Sequence, residues 1–503
     1  MLMQKSDKIL YVMKNGFDND KYLKKQSENI KKRISKFGNK LYLEFGGKLF
    51  DDYHASRVLP GFLPDSKLQM LMQLSDVAEI VIVISAEDIE KNKVRGDLGI
   101  TYDMDVLRLR DEFQSRGLMV GSVVITHYAK QPAADIFIKK LKRMKINCYK
   151  HYIIEGYPHA VSTILSENGF GKNEYIETSR PLVVITAPGP GSGKMATCLS
   201  QIYQDSTRGI KAGYAKFETF PIWNIPLMHP VNIAYEAATA DLEDVNMIDP
   251  YHLKAYKEET VNYNRDIEIF PVLNELFEGI YGKSPYNSPT DMGVNMAGYC
   301  IYDDVACSEA SKQEIIRRYY NTLDRFAENN CEEREVIKIE SLMKKAKITT
   351  DDRAVTIAAK ERAAKDGVPC AAIELNDGTI LTANTSDLFG ACAALILKAL
   401  KHLAGIDHKV HIIPTSAIEP IQEVKVKYLM GNNPRLHSDE LLVALAMVSV
   451  DNEDAKHAVE QIPNLKGTQV HTSVMLSEVD RKILKKLGID FTSEPISKKV
   501  TIK

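Results

Sequence analysis

The densest chemical signal in the chain is Ala187-Pro-Gly-Pro-Gly-Ser-Gly-Lys194, set between a strand-like run and a helical pattern. A Gly-rich turn of this kind points backbone amides inward. The helix after it presents an electropositive N-terminus, so phosphate can settle there. Lys194 supplies a point charge for the outer phosphates. Gly189, Gly191, Ser192, Gly193 and Lys194 are therefore candidate phosphate-binding residues, joined by the Thr197 hydroxyl three positions on. The Walker pattern is met only in part: Gly193-Lys194 fits, but Pro188 replaces the first glycine and Met195 the Ser/Thr that binds magnesium. A dinucleotide fingerprint needs glycine at 189, 191 and 194, and a nucleophile elbow needs it at 190 and 194. Lys194 breaks both, and Pro190 breaks the second again. The bland alternative is a tight turn in which glycine supplies a positive φ and nothing binds.

A second polar stretch follows Tyr42-Leu-Glu-Phe-Gly-Gly-Lys48, where Gly46-Gly47 reads as a hairpin tip. Asp51, Asp52, His54 and Arg57 lie within seven residues. Asp51, Asp52 and His54 are candidate acid–base groups, and Arg57 a bidentate clamp for an anion. A solvated loop with local charge pairs is the alternative. The third stretch, Ser288-Pro-Thr-Asp-Met-Gly-Val-Asn295, offers Asp291 and Asn295 to a substrate, or is simply a cluster of turn formers. Asp103 and Asp105 in the Arg95–Asp105 run read as helix caps or acids. His229, Asp249 and His252 lack metal-ligand spacing, and Pro369-Cys370 lacks the second cysteine of a zinc deaminase. No metal site is expected.

These residues need a frame, and the first 225 residues alternate between two periods. Ile80–Ile84, Met119–Thr126, Cys148–Ile154 and Leu182–Thr186 read as strands, and the loop at 187 would follow the fourth. Helical patterns run between them: Val106, Leu109 and Phe113 up to Gly117; Ile136, Phe137, Leu141 and Met144; and Pro158–Glu167. That alternation means βαβ units and a mostly parallel sheet. From about Pro230 long helices are expected at 232–241 and 264–281, and from Ser308 with Ser311 and Glu314 at capping-box spacing. Beyond Thr350 the pattern gives a helix to Lys365 stopped by Gly367, and a hairpin around Asn376-Asp-Gly378. An apolar helix at 388–403, a strand at 410–414, and helices capped by Ser438 and Ser477 follow. The expected fold is α/β: a parallel-sheet domain over 1–229, a helical domain over 230–349 and a smaller mixed α/β domain over 350–503.

Composition narrows the classes. The 503 residues carry 65 Lys+Arg against 67 Asp+Glu, a net charge of −2, which argues against bulk affinity for nucleic acid or anionic membrane. Seven dispersed cysteines with no Cys-x-x-Cys read as reduced thiols. Residues 1–13 have no apolar core for a signal peptide, and the longest uncharged apolar stretch, near 441–450, is too short to span a bilayer. A cytoplasmic location is expected.

Leu43-Glu-Phe-Gly-Gly-Lys-Leu-Phe-Asp-Asp-Tyr-His-Ala-Ser-Arg57, the loop Thr186–Lys194 and Ser288–Asn295 resemble the motifs of a bacterial family described as domain of unknown function 1846, the UPF0371 proteins. The resemblance spans nearly the whole chain. It implies two α/β parts with a helical region between them and carries no established activity. A peptidase label given to some members finds neither a His-Glu-x-x-His nor a serine elbow here. The expected function is binding of a nucleotide or phosphorylated metabolite, with phosphoryl or nucleotidyl transfer and a nucleotide–Mg2+ cofactor as its extension. The alternative is a non-catalytic, ligand-sensing homo-oligomer. On either reading Gly189–Lys194 is expected to share a pocket with Asp51–Arg57 or with Asp291–Asn295, at the carboxyl ends of parallel strands.

Overall fold

Unbroken apolar runs at 80–84 and 182–185 form the middle of a seven-stranded, all-parallel sheet in the computed structural model. The structure describes residues 15–46, 49–50, 52–96 and 98–495. These divide into two units, one of 15–236 with 243–308, the other of 237–242 with 309–495. Residues 230–349 are thus shared between the two. The first unit holds β1 (Leu41–Phe45), β2 (Ala78–Ser85), β3 (Met119–Tyr128), β4 (Asn147–Tyr152), β5 (Leu182–Thr186), β6 (Gly213–Phe217) and β7 (Gly293–Val294). Their order across the sheet is β7-β6-β1-β5-β2-β3-β4. Every residue of β1, β2 and β5 is buried, as expected for a parallel sheet covered by helices on both faces. The covering helices include α1 (Asn19–Lys36), α2 (Tyr53–Val58), α3 (Tyr102–Ser115), α4 (Pro132–Arg143), α5 (Lys194–Thr207) and α6 (Asn264–Tyr281).

Several elements differ from the pattern reading. Leu41–Phe45 does not lead into a hairpin: it is a central strand, parallel to β5 on one side and β6 on the other. Gly47, half of the proposed tip, lies outside the described residues. The Gly-rich loop consequently follows the fifth strand in chain order, not the fourth. On α4 the buried face is Ala134, Phe137, Ile138 and Leu141, whereas Ile136 is 67% exposed and Met144 42%. Pro158–Glu167 contains only the helical turn Val161–Ile164, and the helix expected at 232–241 runs Pro230–Ala238.

The second unit contains most of α7 (Asp304–Ala327), in which Ser311 and Glu314 lie inside the helix and not at its start. There Glu314 pairs with Arg317 and Arg318, at 2.6 and 2.9 Å. Next come α8 (Ala354–Asp366), ended by Gly367 at φ +69°, and the antiparallel hairpin β8 (Cys370–Glu374) and β9 (Ile380–Asn384). Then follow α9 (Ala391–Leu403), α10 (Ser438–Val448), β10 (Gln469–Thr472), α11 (Glu478–Lys486) and β11 (Asp490–Ser493). The mixed sheet has the order β9-β8-β10-β11, with only β10 and β11 parallel. Residues 410–414 form no strand; His411–Pro414 is an irregular connection whose Ile412 and Ile413 pack into the core around α9.

Candidate functional site

The position of the Gly-rich loop follows from strand order. From β5 the chain crosses β1 to reach β6, whereas from the adjacent β2 it goes the other way to β3. Right-handed crossovers in opposite directions put the connecting helices on opposite faces. Ligands of open α/β sheets bind at such switch points, beyond the carboxyl ends of the strands, here β5 and β2. Residues 187–193 follow β5 at that point.

Within the loop each small residue has a definite task. Gly193 N-caps α5 at φ +83°, a left-handed conformation that costs an L side chain roughly 1–2 kcal/mol. A Cβ at Gly189 would lie 2.4 Å from Tyr102 Oη at the start of α3, so only glycine allows that approach. The Ser192 hydroxyl donates to the Gly189 carbonyl at 2.8 Å, and the Thr126 hydroxyl at the end of β3 donates to the Ser192 carbonyl at 2.8 Å. Beside them His127 Nδ1 is 3.1 Å from Ser85 Oγ at the end of β2. Thr197 is fully buried and bonds back to the Gly193 carbonyl at 2.9 Å.

The first helical bond of α5 is Thr197 N–H to Gly193, so the amides of Lys194, Met195 and Ala196 have no acceptor within the helix. No side chain caps this end, and no acidic residue occupies the first turn. Lys194 is half-buried, and among the described residues no hydrogen bond or ion pair holds its ammonium. Open amides, an uncapped positive helix end and a lysine together suit a phosphate.

Lys194 and Cys198 are four residues apart and share a face of α5. Cys198 is buried close to Glu44 of β1; burial pushes its thiol well above the usual range, the Glu44 charge adding to this and Lys194 opposing it. Glu44 opens a line of buried polar groups reached through β6, where Tyr214, Lys216 and then Glu218 alternate onto one face. Tyr214 Oη donates to Glu44 at 2.6 Å, and Lys216 bonds Tyr263 and Asp266 of α6 and lies 3.2 Å from Glu218. Burial raises the Glu218 carboxyl well above its ordinary value, against the pull of Lys216 and with the Asp266 charge reinforcing it. Glu218 thus keeps its proton to higher pH than an ordinary carboxyl, one residue beyond the carboxyl end of β6. The sequence reading missed Lys216 and Glu218 because it missed β6. The alternation Tyr214, Lys216, Glu218 after Gly213 was the available signal.

The other candidates occupy different positions. Asp51 lies outside the described residues. Asp52 N-caps α2 through the Ala55 amide at 3.1 Å and pairs with buried Lys67 at 2.7 Å. Burial alone would raise its pKa, but the Lys67 charge and hydrogen bond outweigh this and hold it low. His54 sets its ring edge-on to Phe220 at 5.3 Å, and Arg57 is half-buried in the last turn of α2. These residues follow β1, the neighbour of β5, at the same sheet edge as the Gly-rich loop. Asn295 follows β7 at that edge, but its amide donates to the carbonyls of Thr219 and Pro221, at 3.2 and 2.9 Å. Asp291 precedes β7 and lies toward the opposite edge, three strands or about 14 Å across from β5. There it accepts from Tyr256 Oη and the Asn287 amide, each at 2.8 Å. The strand order therefore has the chain leave β1 toward Asp52–Arg57 at the edge from which the Gly-rich loop leaves β5, and keeps Asp291 toward the other edge.

Comparison with known proteins agrees with this two-part layout. The family pattern "Domain of unknown function DUF1846, N-terminal" matches residues 15–347, and "Domain of unknown function DUF1846, C-terminal" matches 351–501. A UPF0371 protein of Streptococcus pyogenes serotype M5 (strain Manfredo) is 56% identical over 481 residues, covering 96% of this chain and 97% of its own. A UPF0371 protein of Streptococcus uberis (strain ATCC BAA-854 / 0140J) is 55% identical over 483 residues, covering 96% and 98%. The chain therefore belongs to the DUF1846 family, whose two matched regions divide it just before α8.

Proposed function

We propose that the unit of residues 15–236 and 243–308 binds a phosphorylated small molecule above the carboxyl ends of β5 and β2. The observation that carries this reading is the open start of α5 at a topological switch point, where among the described residues three amides are free, no side chain caps the helix and Lys194 is unpaired. The phosphate sits on the amides of Lys194–Ala196, and the Lys194 ammonium neutralises it.

Two extensions are open to the same site. Glu218, whose burial raises its carboxyl pKa at the same sheet edge, favours turnover, because a carboxyl that holds its proton longer can give it to a leaving group. The hydroxyls around the loop favour ligand sensing. Ser192 and Thr197 spend their protons on loop carbonyls, and Met195 offers nothing at the position where phosphate-binding loops hold magnesium. These residues do not fit a loop-bound magnesium.

A thermal-stability panel tests the reading. A ligand at about 100 times its Kd stabilises by about 2.7 kcal/mol, or roughly 4–5 °C in Tm for a domain of this size. At least one of pyrophosphate, ATP and a set of sugar phosphates is expected to reach that shift. Phosphate release or ligand conversion in the same samples separates turnover from sensing. A flat response to the whole panel removes the site.

Self-association is part of this reading. Tyr320 of α7 is buried against His471 and presents no surface. Val443, Met447 and Val450 instead share an exposed face at α10 and the residues just after it, at 60, 69 and 79%. Monomeric proteins seldom leave large apolar clusters uncovered. Sedimentation above the 56.5 kDa monomer mass is expected, with Met447→Glu returning it toward monomer. A wild-type protein that sediments only as monomer rejects the oligomer.

A further inference from the structure

Ala394, Leu397, Lys398 and Lys401 recur at helical spacing and so share one face of α9. That face and the irregular segment from His408 to Thr415 border a groove of about 660 Å3, within the range of small-molecule sites. Its walls are mostly apolar and extend to Leu388 and Phe389 before the helix. The ionisable residues that line it are all basic: Lys398, Lys401, His408 and His411.

Lys401 is the informative one. It is only 7% exposed, and its ammonium donates to the carbonyls of His408 and Val410, at 2.7 and 2.6 Å. One of its three N–H donors is left over. Among the described residues no carboxylate lies within ion-pair distance; burial lowers the pKa of the amine, and the more distant Asp407 charge opposes this. Burying an ammonium without a counter-charge is costly, and an anion entering the groove would relieve that cost. Lys398 is already tied to the Thr382 carbonyl at 2.8 Å, so it adds positive potential to the groove more than a free donor.

We propose that this groove is a second binding site, for an amphipathic carboxylate whose apolar chain lies along Ala394 and Leu397 and whose head meets Lys401. The site belongs to the unit of 309–495 and is independent of the Gly-rich loop. Titration calorimetry of the full chain with sodium octanoate, sodium decanoate and decan-1-ol tests it. Decanoate should bind one per chain, about fifteenfold tighter than octanoate, since each added methylene is worth nearly fourfold. Decan-1-ol should bind at least about tenfold more weakly than decanoate, and Lys401→Met should weaken decanoate about ten- to a hundredfold. Because Lys401→Met also strands two carbonyls, Ala394→Phe provides a second variant that fills the groove while leaving the lysine in place. It should abolish decanoate binding with little change in Tm. Equal binding of alcohol and carboxylate, no gain with chain length, undetectable decanoate binding, or unchanged affinity in Ala394→Phe would each overturn the proposal.

Discussion

Glu218 is the buried carboxyl at this sheet edge whose pKa burial raises. Its carboxyl is buried between Lys216 and Asp266, and its pKa is raised from an ordinary 4.5. A carboxyl whose folded pKa lies above its unfolded one keeps its proton in the native state after the unfolded chain has lost it. Stability then falls as pH rises above about 4.5. Glu218→Gln keeps the shape and removes the titration. Its stability relative to wild type should grow between pH 5 and pH 8, by about 1–3 kcal/mol, as read from urea unfolding at each pH. A constant difference across that range contradicts the assignment. Asp52, by contrast, has the features of a structural carboxylate, since it caps α2 and neutralises Lys67. Sequence alone could not separate these two acids. Asp52 stood in a dense polar run that drew a catalytic reading, whereas Glu218 stood alone after a short strand. What distinguishes them is burial and partner charge, and both are set by residues far away in the chain.

The strand–loop–helix from Leu182 to Thr207 was legible because its signals agree. A β-branched run, a glycine turn and a helical pattern follow one another, and each finds its place at the sheet edge. Asn264–Tyr281 and the hairpin of β8 and β9 were legible for the same reason. The failures arose where a local signal had two physical meanings. Gly46-Gly47 looked like a hairpin tip, but β1 is a parallel strand whose partners come from residues 182–186 and 213–217. Val410–Pro414 has strand composition, yet it lies against α9 with no neighbouring strand to pair with. Within the loop element, Gly193→Ala tests the geometry directly. The left-handed φ of +83° and the approach of Thr126 to 3.1 Å predict a loss of about 1–2 kcal/mol in chemical denaturation. Phosphate affinity should fall with it, because the amides of α5 lose their aim. Full stability in that variant contradicts the described turn.

At the scale of the whole molecule, the sheet decides which polar stretches can cooperate. The order β6-β1-β5-β2-β3 brings Glu218, Glu44, Lys194 and His127 to one edge, although they come from four separate segments of the chain. Asp291, close to β7 in sequence, is excluded from that edge because it precedes its strand. The function reading depends on this arrangement and most of all on Lys194, whose ammonium is expected to contact the ligand and to contribute little to the fold. Calorimetric titration of the full chain with pyrophosphate, ATP and sugar phosphates, in wild type and in Lys194→Ala, tests it most directly. At least one of these should bind wild type, with affinity lowered about ten- to a hundredfold in the variant, because a charge-assisted contact is worth about 1.5–3 kcal/mol. The variant should melt no lower than wild type, since a lysine at the positive end of a helix does not stabilise it. Equal affinity in the two proteins, or no binding to either across the panel, contradicts the account.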